Sequence, residues 1–188
     1  MIEKILSLDT QLLIFLNGLG SEQYDALWLF ITKQSHWTPL FLFFLYLIYK
    51  KIGPKQTLYL LLFVAVLIAW TDQITNLFKY SFERLRPCSN PNINTTIRVV
   101  KSSQSFSFFS GHAANSMATM MFLFQVLKKH YTHAYLIFIW SFIFAYSRIY
   151  LGLHYPLDIL CGFLFGLLSG YGFYKIYTLI QEKYFPVR

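Results

Sequence analysis

Apolar residues are concentrated in five long windows that contain no Asp, Glu, Lys or Arg. These windows cover residues 34–49, 56–71, 102–127, 130–147 and 159–174. A helix that crosses about 30 Å of hydrocarbon needs roughly 20 mostly apolar residues, and each window reaches or approaches that length with its flanks. The pattern therefore predicts an all-α, integral membrane helical bundle with about five spanning helices. A large buried helical core in a soluble protein is the alternative, and it would not need aromatic residues at 20% of the chain.

Helix-starting and helix-breaking residues set the expected limits of the spans. Proline is favoured in the first turn of a helix, where Pro39 and Pro156 stand, and Gly53-Pro54 is typical of a turn. The five spans are then expected to run from near Trp37 to Tyr49, from Thr57 to Tyr80, from Ser110 to Leu127, from Ala134 to Tyr146, and from Pro156 to about Tyr177.

The N-terminal segment, residues 1–34, is more polar than the spans. It predicts two short amphipathic helices, interrupted at residues 17–21, that lie in the membrane interface. A spanning first helix is the alternative. Together with the bundle at residues 36–180, this segment would make residues 1–188 a single membrane-embedded domain.

Composition strengthens the membrane interpretation. Charged residues make up 13% of the chain, against about 25% in ordinary soluble domains. The net charge of +8 would suggest nucleic acid as a partner of a soluble protein. The sequence has no basic stripe, so we expect no nucleic-acid partner. The two cysteines, Cys88 and Cys161, lie in a loop and an apolar run, and a disulfide between them is not expected.

Basic residues at the ends of the spans indicate the orientation. Alternating spans bring residues 79–86, 110–112 and 148–154 to one face of the membrane. Eight cations lie on the opposite face and eight on or near this one. Lys79, Arg86 and Arg148 are left out of the count for this face, because a chemical role can account for them. The positive-inside rule then makes the opposite face cytoplasmic and places these three stretches on the outer side of the membrane. The eight opposite cations are Lys50, Lys51, Lys55, Lys128, Lys129, Lys175, Lys183 and Arg188.

Three separated polar stretches carry the candidate chemistry. Together they supply three kinds of group that suit a phosphate ester. The first and third stretches contain cations for the phosphate oxygens, and the second offers free N–H groups at a helix start. The third also has a histidine with a carboxylate four residues later. In sequence they read Lys79-x6-Arg86-Pro87, Ser110-Gly111-His112, and Ser147-Arg148-x5-His154-x3-Asp158.

Each residue type predicts a role. Lys79, Arg86 and Arg148 would hold the phosphate oxygens, together with Ser110 and the backbone N–H groups of Gly111 and His112. His154 can attack phosphorus if one ring nitrogen is unprotonated, and Asp158 can bind the other ring N–H. His112 can protonate the leaving oxygen and then activate water. Carboxylates near these motifs are too few for a pair of magnesium ions, so we expect no metal or other cofactor.

These motifs resemble the type-2 phosphatidate phosphatase and vanadium haloperoxidase superfamily, in its bacterial membrane branch. Its pattern is Lys-x6-Arg-Pro, then Pro-Ser-Gly-His, then Ser-Arg-x5-His-x3-Asp. The matching motifs extend from Lys79 to Asp158, and Phe109 stands where the family usually has proline. The resemblance implies a metal-free phosphatase that forms a phosphohistidine at His154.

Several polar residues near the motifs have two interpretations. Asp72 and Asn76 share a helical face with Lys79, and they either orient Lys79 or pair with another span. Asn115, one turn after His112, is likewise either a supporting residue of the site or a packing residue. Glu83 and Arg84 are expected to be solvated loop charges, and His130 and His133 packing residues. Gly162, Gly166 and Gly170 form a small-residue stripe for close helix packing.

Three functions fit this sequence. The first is a membrane lipid phosphatase of a bacterial inner membrane, with its active site facing the periplasm or exterior and its lipid substrate partly between the spans. Undecaprenyl diphosphate is the first substrate expected from the resemblance, with lipid A phosphate, phosphatidylglycerol phosphate and phosphatidate as alternatives. The second is a phosphotransferase that uses the same site, and the third is a non-enzymatic membrane scaffold or transporter. The oligomeric state is not predicted.

Overall fold

The structure, a computed structural model, describes residues 2–184 and is helical, with no β-strand in that range. Met1 and residues 185–188 lie outside it, and with them Arg188, which counted toward the predicted orientation. The prediction of an all-α membrane protein is confirmed. The six helices are α1, Ile2–Gly18; α2, Asp25–Ile31; α3, Thr38–Phe82; α4, Gly111–Leu127; α5, Phe138–Tyr150; and α6, Pro156–Tyr184.

Helix α3 consists of two arms that meet at Gly53. Gly53 has φ 76°, a conformation that favours glycine, and Pro54 begins the second arm. Residues of both arms, such as Phe44 and Leu60, belong to one buried apolar cluster that also includes Phe122 of α4 and Trp140 of α5. The predicted turn at Gly53-Pro54 is therefore present, and the first two predicted spans are the arms of α3.

The predicted limits hold closely at α4 and less closely beyond it. The expected fourth span begins with a 3-10 turn, Ala134–Ile137, and its α-helical part, α5, ends at Tyr150 rather than Tyr146. Arg148 near its end is buried and bonded to Thr32, so a charge there does not stop the helix. Helix α6 continues to Tyr184, past the expected end near Tyr177.

Large apolar side chains point outward along the bundle, as expected for a surface in contact with lipid. Leu58 on α3 is 62% exposed, and Leu168 and Leu179 on α6 are 74% and 67% exposed. By length and composition, the stretches Gln34–Ser89 and Pro156–Lys183 can cross a bilayer, and Ala134–Tyr150 is a shorter apolar helix. The total of five spans stays a prediction.

Helix α1 packs against α5 and α6 through one narrow face. Asp9, Leu13 and Asn17 are buried there, whereas Ile2 and Phe15 are 73% and 64% exposed. Asn17 Nδ2 donates to the carbonyl oxygens of residues 149 and 150, which satisfies acceptors at the end of α5. The exposed apolar face suits the interfacial position that the sequence predicts, which stays a prediction.

The glycine stripe of α6 lies directly against α4. A Cβ atom built at Gly166 would lie 2.5 Å from the carbonyl oxygen of Ala114 and 2.9 Å from Cβ of Met117. Gly162 and Gly170 meet α4 in the same way, one turn before and one turn after. Small residues let helix backbones approach closely in membranes, and the expected packing role of the stripe is present.

We expect Gly166→Leu to destabilise the protein by about 1–3 kcal/mol or more, because the larger side chain must separate α6 from α4. Thermal unfolding in detergent measures the effect. Gly172→Leu on the same helix is the matched control, since a Cβ there has no neighbour within 4 Å. Equal unfolding temperatures for the two variants would contradict this packing model.

Candidate active site

The site forms at one end of the bundle. There α3 and α5 end, α4 and α6 begin, and the loop of residues 83–110 packs against them. Ser110 is the N-cap of α4, and its backbone N–H donates to the carbonyl oxygen of Asp158 at 3.1 Å. The Ser110–Asp158 bond brings the second and third motifs together. Gly152, with φ 75°, turns the chain after α5, and a Cβ built there would lie 3.0 Å from the carbonyl oxygen of Arg98.

His154 is at the centre of the site and is only 1% exposed. Its Nε2 lies 3.0 Å from Nη1 of Arg86, and its Nδ1 lies 3.3 Å from Oδ2 of Asp158. Because a guanidinium can only donate, Nε2 must accept, and the proton is then on Nδ1. This neutral tautomer leaves Nε2 as the atom with an available lone pair.

The surroundings keep the His154 ring unprotonated. Burial lowers the pKa of His154 well below its ordinary value, and the positive charges of Arg86, Arg148 and Lys79 lower it further. All three predicted cations therefore act on this ring. A neutral imidazole at neutral pH is the form that a nucleophile requires.

Asp158 is fully buried and held by several donors. Its Oδ2 accepts from the backbone N–H of Tyr155 at 3.0 Å and from the Ser107 hydroxyl, and its Oδ1 accepts from Arg84 at 2.7 Å. Ser107 Oγ also lies 3.4 Å from Nδ1 of His154. Ser107 was not anticipated from the sequence, because it belongs to none of the three motifs.

Arg84 is a part of the site that the sequence interpretation missed. Its Nη1 lies 2.7 Å from Asp158 and its Nη2 lies 2.6 Å from Asp9 of α1, while the guanidinium stacks 3.8 Å from the Tyr155 ring centroid. Burial alone lowers the pKa of Arg84, but the carboxylates of Asp158 and Asp9 outweigh this and raise it. The expectation that Arg84 is a solvated loop charge is wrong, whereas Glu83 is exposed as expected.

Asp9 connects the N-terminal helix to this ion-pair network. Its side chain is 4% exposed, and Oδ1 accepts from the backbone N–H of Leu157 at 2.7 Å. One guanidinium therefore bridges two buried carboxylates, Asp9 and Asp158. An unpaired buried carboxylate is costly, so Arg84 is needed to keep both side chains ionised and in place.

Arg86 and Arg148 are both buried and held by the protein. Arg86 donates through Nε to the carbonyl oxygen of Ser105 at 2.7 Å and through Nη1 to that of Leu153 at 3.1 Å. Arg148 donates through Nη1 to Thr32 Oγ1 at 2.6 Å, and its Nε is buried with no hydrogen-bond partner in the described part of the chain. Two fixed guanidinium groups suit a phosphate ligand.

His112, Gly111 and Lys79 line a cavity of about 500 Å³ that extends from this site between α3, α4 and α5. The His112 ring stacks on Phe144, with centroids 5.1 Å apart. Lys79 Nζ lies 3.9 Å from the position that a Cβ of Gly111 would occupy, so the first and second motifs meet here. The far part of the cavity is apolar, with Phe44, Leu60 and Trp140 among its lining residues.

The remaining predicted features can also be placed. Phe109, at the usual proline position, is buried and packs against Phe78 and Phe165. Cys88 and Cys161 are free thiols. Within residues 2–184, no three His, Cys, Asp or Glu side chains are grouped as metal ligands would be.

Residues 59–182 match the family model of the PAP2 superfamily. The chain is 36% identical over 181 residues to a lipid A 4'-phosphatase of Bacteroides thetaiotaomicron, covering 94% of this chain and 80% of that protein. It is 29% identical over 188 residues to a lipid A 4'-phosphatase of Porphyromonas gingivalis, covering 97% and 78%.

The fold is similar to that of a transmembrane PAP2-type phosphatidylglycerolphosphate phosphatase from Bacillus subtilis. The TM-score is 0.69 at 23% identity, and the match covers 98% of this chain and 90% of the crystallised one. At this level of identity the likeness concerns the fold alone.

Proposed function

Because this chain belongs to the PAP2 superfamily, in which it is a phosphatase that acts on lipid phosphates, we propose that it removes phosphate from a lipid A-type substrate through a phosphohistidine at His154. The observation that carries the proposal is the buried His154 ring, with Nε2 3.0 Å from Nη1 of Arg86 and Nδ1 3.3 Å from Oδ2 of Asp158.

In the proposed first step, His154 Nε2 attacks phosphorus as the bond to the lipid oxygen breaks. Phosphate oxygens would take the donors of Arg86, Arg148 and Lys79, which frees Nε2 from its bond to Arg86. The negative charge of the bound phosphate offsets the charges of Lys79, Arg86 and Arg148, so that His112 can bind a proton and give it to the departing lipid oxygen. Asp158 stabilises the positive charge that develops on His154.

In the second step, water attacks the phosphohistidine. His112, now neutral, takes a proton from that water as the new P–O bond forms and the N–P bond breaks. Inorganic phosphate leaves, and His154 returns to its neutral form. A lipid hydroxyl in place of water would give the phosphotransferase that the sequence also permits.

The preference for lipid A over undecaprenyl diphosphate comes from the two relatives named for lipid A, which align with nearly the whole of this chain. The sequence by itself had placed undecaprenyl diphosphate first. We also propose an inner-membrane location with the site facing the periplasm, supported by the lysines expected on the opposite face.

We expect the purified protein to release phosphate from lipid A faster than from undecaprenyl diphosphate or phosphatidylglycerol phosphate. Activity should survive EDTA, because the proposed mechanism requires only side chains and backbone groups. Phosphate release measured in detergent, with and without an acceptor lipid, tests both points. Loss of activity in EDTA that magnesium restores would overturn the metal-free mechanism, and phosphate transfer without release would make the protein a transferase.

A further inference from the structure

Polar groups line the cavity below the phosphate site, although the proposed reaction does not use them. Asp72 precedes Lys79 by seven residues on α3. It therefore lies about 10 Å from Lys79 along the helix axis, deeper in the bundle than the C-terminal end of α3, where the site is. A carboxylate inside a spanning helix is costly and suggests a function. The polar cavity residues beyond the motifs include Asp72, Thr75, Asn76, Asn115 and Thr119.

Asp72 is held in position by α4. Asn115 Nδ2 donates to Asp72 Oδ1 at 2.6 Å, and the Thr71 hydroxyl contacts Asn115 Oδ1, where only the hydroxyl can donate. Asp72 therefore pairs with a neighbouring helix, one of the two roles that the sequence left open. Within residues 2–184, Oδ2 of Asp72 accepts no hydrogen bond.

Thr75 gives a second, independent indication that a ligand binds here. It is 2% exposed and lines the same cavity. Its Oγ1 is buried and has no hydrogen-bond partner in the described part of the chain. Buried polar groups are normally satisfied. Because Oγ1 itself is covered, a ligand in the cavity would reach it after a rotation of the Thr75 side chain, and it would then supply the missing partner.

We propose that Asp72 and Thr75, with Asn115 as support, form a subsite for hydrogen-bond donors of the lipid. These donors are hydroxyl or amide N–H groups that would lie about two helical turns along α3 from Lys79. A carboxylate can only accept, so the ligand must donate. This proposal rests on the proposed lipid phosphatase function and narrows its substrate class.

The subsite distinguishes two kinds of lipid phosphate. Acylated amino sugars carry amide N–H groups, and their acyl chains can carry hydroxyls, close to the head group. A polyprenyl chain carries no donor, so its binding would leave Oδ2 of Asp72 without a partner beside hydrocarbon. Asp72 is exposed where it lines the cavity, and a bound lipid would cover it. Specificity arises when the wrong substrate leaves such a covered polar group unpaired.

Asp72→Asn tests the subsite with little change in shape. The variant keeps an oxygen for Asn115 but replaces the free carboxylate oxygen with an NH₂ donor. We expect the ratio of kcat/KM for lipid A to kcat/KM for undecaprenyl diphosphate to fall at least tenfold. Thr75→Val should lower the same ratio. Gln73→Leu, at an exposed neighbouring position outside the cavity lining, is the matched control and should not change it.

The outcomes separate this subsite from the proposed function. An unchanged ratio in Asp72→Asn, with an active wild-type protein, would overturn the subsite alone, as would an equal loss on both lipids. No phosphate release by the wild type from any lipid phosphate would overturn the function. Lipid A with acyl chains lacking hydroxyls identifies the donor: the Asp72→Asn effect vanishes if hydroxyls bind and persists if amide N–H groups bind.

Discussion

His154→Ala is expected to lower phosphate release by roughly four orders of magnitude or more, the usual cost of removing a catalytic nucleophile. The ring that would carry the phosphoryl group is lost, and no other side chain of the site offers a neutral nitrogen facing Arg86. The initial rate of phosphate release from lipid A in detergent measures the effect.

This variant should remain folded. Asp158 keeps its bonds to Arg84, Ser107 and the backbone N–H of Tyr155, so its carboxylate does not lose its partners. Thermal unfolding and gel filtration check this point. His133→Ala is a matched control, because the His133 side chain is exposed and its ring bonds to the Tyr135 hydroxyl, far from the site in the sequence. Substantial turnover by a folded His154→Ala protein would show that another group is the nucleophile.

Arg84→Met is expected to destabilise the protein by about 3–5 kcal/mol, because it leaves two buried carboxylates without their shared cation. We also expect a large loss of kcat, since Asp158 would lose the partner that fixes it beside His154. Thermal unfolding and phosphate release measure the two effects. Arg84→Lys should retain part of the stability and part of kcat, because its ammonium group can still pair with one of the two carboxylates.

Arg98→Met is the matched control for this prediction. Arg98 and Asp25 also form an ion pair, at 2.8 Å, but their side chains are 27% and 25% exposed. This pair is only partly buried, and Asp25 keeps its hydrogen bond from the Tyr150 hydroxyl when Arg98 is removed. This variant should therefore lose less stability than Arg84→Met, which leaves two carboxylates without a cation. If Arg84→Met behaved in the same way, Arg84 would be a solvated loop charge, as the sequence first suggested.

The helices could be predicted because their limits depend on local signals. Gly53-Pro54, the Ser110 N-cap and Pro156 each act within one turn, and the structure has a helix boundary or kink at each. The end of α5 was placed too early because the charge-free window ends at residue 147, directly before Arg148. Its partner, Thr32, lies 116 residues away in the sequence.

The catalytic motifs could also be identified, because their internal spacing is fixed and three of them occur in order. The residues that support them could not. Asp9 and Arg84 are 75 residues apart, and Ser107 stands 51 residues before Asp158. Each looks ordinary where it occurs, and its role appears only once folding brings the partners together. Asp9, Leu13 and Asn17 recur every fourth residue and therefore share one face of α1, a spacing that could have suggested that Asp9 is buried.

Rapid quenching during turnover tests the central claim most directly. Lipid A labelled with ³²P at the phosphate that is removed would be mixed with the protein, and the quenched protein would be digested and mapped. The account predicts a phosphoryl group on His154 that is labile in acid and stable in base, and that is absent from His154→Ala. Label on another residue, or turnover with no labelled protein at any time, would contradict it.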